Sequence, residues 1–155
     1  MTGWFTERSA TGTNRPALTG QRCGTCGTYV FPPRSGGCPS PHCTADELES
    51  VELSSAGRVW SYTENRYAPP PPYVAPDPFV PYALAAVELE REGIVVLGKV
   101  GDGLLAADLR VGMPMRLGLE VSHRDGDHDV IVYTWVPDTG INADAGTNAD
   151  DGSQP

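Results

Sequence analysis

The sequence predicts a mainly β protein: a small cysteine-stapled module followed by a five-stranded antiparallel barrel. Three observations predict it. All four cysteines, Cys23, Cys26, Cys38 and Cys43, fall in one short stretch near the N-terminus. Nearly all the Val, Leu and Ile follow in residues 57–136, with strand-like alternation. Turn residues punctuate that second stretch at intervals too short for long helices.

The cysteines come first. Two close pairs on two turns can bring four thiolates to the corners of a tetrahedron, which zinc favours with Zn–S of about 2.3 Å. Gly24 and Gly27 let the first knuckle turn so that backbone amides point at sulfur. Gly36 and Gly37 precede the second pair, and Pro39 and Pro41 stiffen it. This is the pattern of a rubredoxin-like zinc ribbon, with Cys23, Cys26, Cys38 and Cys43 as ligands of a structural zinc. His42 beside Cys43 is the competing ligand, and iron would fit the same cage. A disulfide framework would need an oxidising compartment, and the polar first ten residues do not resemble a signal peptide. A thioredoxin-like pair would open a helix, whereas Thr28-Tyr29-Val30-Phe31 is strand-like.

Each further segment follows from its residues. Residues 1–17 form an N-terminal segment in which Trp4 and Phe5 could anchor a short helix or a partner contact. Residues 18–53 hold the ribbon: Leu18 to Arg22 runs extended into the first knuckle, and Tyr29 to Phe31 completes a hairpin. Ala45 to Glu52 reads as a helical turn or a linking strand. The ribbon is too small to bury a useful core, so the metal substitutes for one.

Residues 54–137 make the barrel. Gly57 to Thr63 has β-branched and aromatic bias. Tyr82 to Glu90 places Ala83, Ala85, Val87 and Leu89 on one face, and Glu92-Gly93 turns it into Ile94 to Val100. Leu104 to Leu109 is a brief helix or loop. Met113 to Val121 alternates, with Met113, Met115, Leu117, Leu119 and Val121 on one side. Asp125-Gly126 is a hairpin turn, and Val130 to Val136 is the last strand. Five strands with a helix or loop between the third and fourth is the layout of an OB-type barrel. Residues 138–155 carry four aspartates and no basic or aromatic residue, so they should be a disordered acidic tail.

Ala68 to Pro81 interrupts the pattern. It holds seven prolines, with Tyr67, Tyr73 and Phe79 interleaved. Proline fixes φ and removes a donor, so this stretch is a stiff arm between the first two barrel strands. It is either a rigid connector or a contact surface for a partner or ligand.

The formal net charge is −9. Phosphate contacts dominate nucleic-acid affinity, so this balance argues against a single-stranded nucleic-acid module. No apolar run is long enough to span a membrane, and the expected setting is cytoplasmic. No catalytic set is legible. His123 and His128 flank the Asp125-Gly126 turn but lack the bidentate glutamate of a calcium loop, and no phosphate loop, nucleophile elbow or dinucleotide fingerprint is present.

The segments QRCGTCGTYVFPPR, GRVWSYTENRYAPPPPYVAPDPFVPYALAAVELE and DLRVGMPMRLGLE, with the second cysteine pair, resemble the zinc-ribbon/OB-fold proteins associated with acyl-CoA enzymes, long described only as a domain of unknown function. The resemblance runs from Leu18 to about Pro137. The second cysteine pair is wider than the family's usual spacing. The resemblance implies a non-catalytic accessory subunit in a hetero-oligomer with a thiolase-superfamily enzyme, a thiolase or a retro-aldolase of steroid side-chain breakdown. The subunit would complete or stabilise the acyl-CoA site shared with that partner. A free-standing acyl-CoA-binding protein is the alternative. Tyr67, Pro71, Tyr73 and Phe79 on the arm, and Arg22 and Arg34 beside the ribbon, are the candidate contacts to partner or acyl-CoA, the arginines through the planar fork that suits phosphate.

Overall fold

A computed structural model describes residues 3–7, 15–71 and 74–140. The expected acidic tail falls, from residue 141 onward, outside the described residues. No described helix is long and apolar enough to cross a membrane.

Nine strands and one 3-10 turn make up the described fold. The ribbon contains β1 (Phe5–Thr6), β2 (Ala17–Arg22), β3 (Tyr29–Val30) and β4 (Glu49–Glu52). β2 pairs antiparallel with each of the other three. Two ambiguities are thereby settled. Trp4 and Phe5 do not start a helix: Phe5 pairs with Leu18, and its ring packs edge-on against Tyr133 at 6.3 Å, a contact that extended backbone delivers. The stretch before Leu53 ends in a strand, β4, because it completes the unpaired edge of β2 from Thr19 to Arg22.

The barrel comprises β5 (Ala56–Asn65), β6 (Tyr82–Leu89), β7 (Ile94–Val100), β8 (Pro114–Asp125) and β9 (His128–Pro137), with the 3-10 turn Ala106–Asp108 between β7 and β8. It closes in the order β5-β6-β7-β9-β8. Ala83, Ala85, Val87 and Leu89 are all buried, as the alternation requires. The barrel is not wholly antiparallel. β9 returns beside β7 after the β8 excursion, so these two run parallel, paired at Lys99–Thr134 and Val100–Trp135.

That short parallel seam is reinforced by side chains. The Trp135 indole, fully buried, donates to the Val96 carbonyl at 3.2 Å. The Tyr133 hydroxyl donates to the Leu97 carbonyl at 2.8 Å. Gly98 faces both rings; a Cβ there would meet Trp135 at 2.8 Å. Each aromatic thus supplies a donor where the backbone ladder is only two pairs long.

Leu18 and Leu53 of the ribbon join Val59, Met115, Leu117 and Trp135 in one buried cluster. At the junction the Leu53 amide donates to the Leu18 carbonyl, and Ser54 is held by Glu92 of the β6–β7 turn.

Val121 departs from the alternation that places it inward. It is exposed, because the β8–β9 hairpin projects past the point where β9 last pairs with β7, and a bulge follows between Val121 and His123. His123, His128 and the Asp125-Gly126 turn form the tip of that hairpin, where Asp125 pairs with His128.

Candidate metal centre and contact surfaces

Two turns build the metal centre. In the first, the Cys23 carbonyl accepts from Gly27, which sits at φ 78, a left-handed position that suits glycine. The Thr28 carbonyl accepts from Cys23 as the chain enters β3. In the second, the Ala45 carbonyl accepts from Cys38, and Cys43 donates to Ser40. These closures bring the four sulfurs within 4.8 Å of one another.

The donors fit zinc. Four sulfurs about 2.3 Å from a central ion in a tetrahedron stand about 3.8 Å apart. Cys23 and Cys43 Sγ lie 3.7 Å apart, and Cys26 and Cys38 Sγ lie 3.4 Å apart. Backbone amides converge on the sulfurs: Cys26 and Thr25 donate to Cys23, Thr28 to Cys26, Ser40 to Cys38 and Ala45 to Cys43. Such amides stabilise thiolate. The four thiols nevertheless cannot ionise alike without a cation. The Thr28 hydroxyl, at 3.1 Å, leads in drawing Cys26 down to about 6. At Cys43 the Ala45 amide acts downward, but burial and the neighbouring thiols of Cys26, Cys23 and Cys38 together push it up to about 12. A divalent ion removes this conflict by compensating four negative sulfurs at once. Cys23, Cys26, Cys38 and Cys43 are therefore the residues that would hold a structural zinc, and together they would fill its four positions. His42 is exposed and outside the cluster.

The other candidates do not gather into one site. Arg22 lies with its guanidinium 5.7 Å from the Tyr29 ring centroid, beside the first knuckle. Arg34 is exposed, and its backbone amide donates to Gln21 Oε1 at 2.9 Å. Tyr67 is 70% exposed and Pro71 is exposed. Phe79 turns back onto the barrel, edge-on to Tyr82 at 6.3 Å. Tyr73 lies outside the described residues.

A groove under the arm escaped the sequence reading. About 540 Å³ in volume, it is lined by Val74 and Val80 of the arm and by Leu84, Val121, Val132 and Tyr133 of the barrel. Its polar lining comprises Ser122, His123 and an ion pair between Lys99 and Glu120, with the Lys99 ammonium 5.8 Å from the Tyr82 ring centroid. The pairing joins residues 21 apart in sequence, so no local motif announces it.

The fold and the metal centre define a two-part class, a four-cysteine zinc ribbon joined to an OB barrel. Residues 10–49 match the domain described as "ChsH2, rubredoxin-like zinc ribbon domain", and residues 50–120 match "ChsH2, C-terminal OB-fold domain". A DUF35 domain-containing scaffold protein of Methanocaldococcus jannaschii is 35% identical over 124 residues, covering 78% of this chain and 80% of that protein. A probable enoyl-CoA hydratase alpha subunit of Thermomonospora curvata is 36% identical over 98 residues, 63% of this chain and 27% of that protein. The benzoylsuccinyl-CoA thiolase subunit BbsA of Thauera aromatica is 42% identical over 50 residues, 32% of this chain and 33% of that subunit. Among solved structures, a chain of the Ltp2-ChsH2(DUF35) aldolase superposes with a TM-score of 0.59 at 30% identity, covering 78% of this chain and 84% of that one. The chain belongs to the ChsH2/DUF35 family of zinc-ribbon and OB-fold proteins.

Proposed function

We propose that the chain is a non-catalytic accessory subunit that binds a thiolase-like acyl-CoA enzyme, a thiolase or a retro-aldolase, and completes or stabilises its acyl-CoA site. One observation carries this reading: the ribbon and barrel together match a chain of an aldolase assembly over most of both lengths. The metal centre supports it, because a zinc enclosed by four cysteines keeps no position for water or substrate. The exposed Tyr67 and Pro71 of the arm, with Arg22 and Arg34 beside the ribbon, are the proposed contacts to partner or acyl-CoA. Steroid side-chain thioesters are the proposed substrates of the assembly. The reading places the chain in the cytoplasm, where thiols stay reduced.

A second reading has its own observation. The largely apolar groove under the arm, with the Lys99–Glu120 ion pair, Ser122 and His123 in its wall, has the volume of a small-molecule site. It favours a free-standing acyl-CoA-binding protein.

Purification of the tagged chain from its native host under non-denaturing conditions, followed by native mass spectrometry, separates the two. A complex with a thiolase-like chain and one zinc per copy of this subunit is expected. A lone zinc-bearing monomer that binds CoA thioesters by calorimetry would favour the second reading. Turnover of an acyl-CoA by this chain alone would overturn the first.

A further inference from the structure

β7 and β9 lie side by side but pair only at Lys99–Thr134 and Val100–Trp135. The Trp135 carbonyl accepts from the Gly101 amide, so Trp135 directs its backbone groups toward β7. Backbone direction alternates along a strand. Ile131 and Tyr133 therefore aim their N–H and C=O at the same edge. The Lys99–Thr134 register spends the Tyr133 carbonyl on the Lys99 amide; among the described residues no backbone pairing joins the edge at the Tyr133 amide or at Ile131, and only the Tyr133 hydroxyl reaches across there, to the Leu97 carbonyl.

β1 also has an outer edge. The Trp4 carbonyl accepts from Thr19, so Trp4 faces β2 and Phe5 turns its backbone groups away from it. Residues of both strands line one groove of about 620 Å³, formed by Trp4, Phe5, Pro33, Ile131, Val132 and Tyr133. None of these side chains is charged at neutral pH. Trp4 is 50% exposed and Ile131 37% exposed there. An extended residue in a sheet takes up roughly 160 Å³, from about 3.3 Å of rise, 4.8 Å of strand spacing and 10 Å of sheet thickness. The groove has room for about four.

We propose that this groove receives an extended, uncharged segment of the thiolase-like partner as an added strand, bonded to the Ile131 backbone and the Tyr133 amide. The proposal rests on the accessory-subunit reading and names the element by which the partner docks. Open strand edges recognise extended backbone, and the apolar walls select its side chains. A second copy of this chain is a poor occupant, because each copy carries a formal net charge of −9 and like charges repel.

The test uses the complex purified from the native host and the free subunit beside it. Amide hydrogen exchange is measured at Ile131 and Tyr133 in both. Trp4→Lys and Ile131→Lys place a charge in the groove at half-exposed positions, so neither requires the core to move. Val111→Lys, at an exposed position outside the groove, is the control. Both amides should exchange fast in the free subunit and slow by about tenfold or more in the complex. Both groove variants should weaken the complex by about tenfold or more while binding zinc normally. Slow exchange already present in the free subunit would mean that the chain fills its own groove, and would overturn the proposal. So would full-strength complexes of both variants. If the unaltered chain forms no complex with any thiolase-like protein, the accessory-subunit reading falls and the proposal with it. A complex that ignores the groove variants removes the added strand alone.

Discussion

The Glu92 carboxylate accepts from both the amide and the hydroxyl of Ser54, at 2.9 and 3.0 Å, across 38 residues of chain. Ser54 directly follows the last ribbon residue in the shared core, Leu53, and Glu92 lies in the turn between β6 and β7. One oxygen, Oε1, thus ties the junction to the barrel, and it also takes Arg91 at 2.6 Å. Its other oxygen, Oε2, is buried without a hydrogen-bond partner among the described residues.

Glu92→Ala should therefore destabilise more than a surface change. It strands the Ser54 amide in a partly buried site, at a cost of about 1–3 kcal/mol. Glu92→Gln keeps an acceptor for Ser54 and should lose less. Urea unfolding of the zinc-loaded protein measures both. Equal stability of the alanine variant and the parent would deny the tie any energetic role.

The metal centre makes a sharper prediction. Cys23→Ser and Cys43→Ser should each lose zinc and leave the ribbon unfolded, because folding free energy in such a small module is metal-binding free energy. His42→Ala should bind one zinc per chain as the parent does. Zinc loss from the histidine variant, measured by elemental analysis, would show that the exposed imidazole serves as a ligand after all.

Gly57 tests the barrel wall. A Cβ there would sit 2.2 Å from the Glu88 carbonyl oxygen and 2.8 Å from a Val87 methyl. Backbone cannot yield as a flexible side chain does, so Gly57→Ala should cost at least about 1–3 kcal/mol. Gly93, at φ 65 with open space around it, is a different case. Alanine there meets only backbone strain, and its loss should be about 1 kcal/mol. Thermal denaturation of the pair would reverse this order if the close approach were absent.

Tyr133 predicts an alkaline limit. Burial pushes its phenol above the ordinary tyrosine value near 10. In the unfolded chain the phenol ionises first, so folded stability is intact below about pH 10 and falls as pH rises through the folded value. Tyr133→Phe lacks this proton. Between about pH 9 and 11 the parent should therefore lose stability more steeply than the variant. Parallel slopes in denaturant titrations at several pH values would contradict the burial effect.

Tyr67 separates contact from stability. Its ring is mostly exposed, and its carbonyl accepts from the Asn65 side chain, a bond any residue at 67 could keep. Tyr67→Ala should leave the melting temperature unchanged within about 0.5 kcal/mol of stability. If the proposed partner contact is real, the same change should weaken the complex with the thiolase-like protein in a binding titration. Unchanged affinity would remove Tyr67 from that surface.

Local pattern made some of this legible and long-range pairing hid the rest. The buried face of β6 followed from strict alternation, and the metal centre from cysteine spacing and glycine placement. β4 stayed ambiguous because Glu49 to Glu52 is exposed or half-exposed, with no apolar period; its pairing with β2 decides its form. The parallel seam was not foreseen, since it follows from the order in which five strands close, which no single strand encodes. Trp60 and Ser61 give another case. A bulge between Val59 and Ser61 adds one residue without changing composition, and it shifts the pairing of all that follows in β5. The candidate contacts were the least legible. Arg22, Arg34 and Tyr67 are exposed residues whose roles depend on a molecule that the chain itself does not contain.

Lys99 is the only lysine in the chain, and it lies in the wall of the groove under the arm. An amine-directed fluorophore, kept from the terminal amine by mild alkaline labelling after terminal acetylation, would thus sit at a single address. Its emission would report whatever enters or leaves that groove, with no engineered residue needed. The same arrangement leaves lysine-to-lysine cross-linking nearly blind to this subunit, and carboxylate-directed reagents are the better choice for mapping its assemblies.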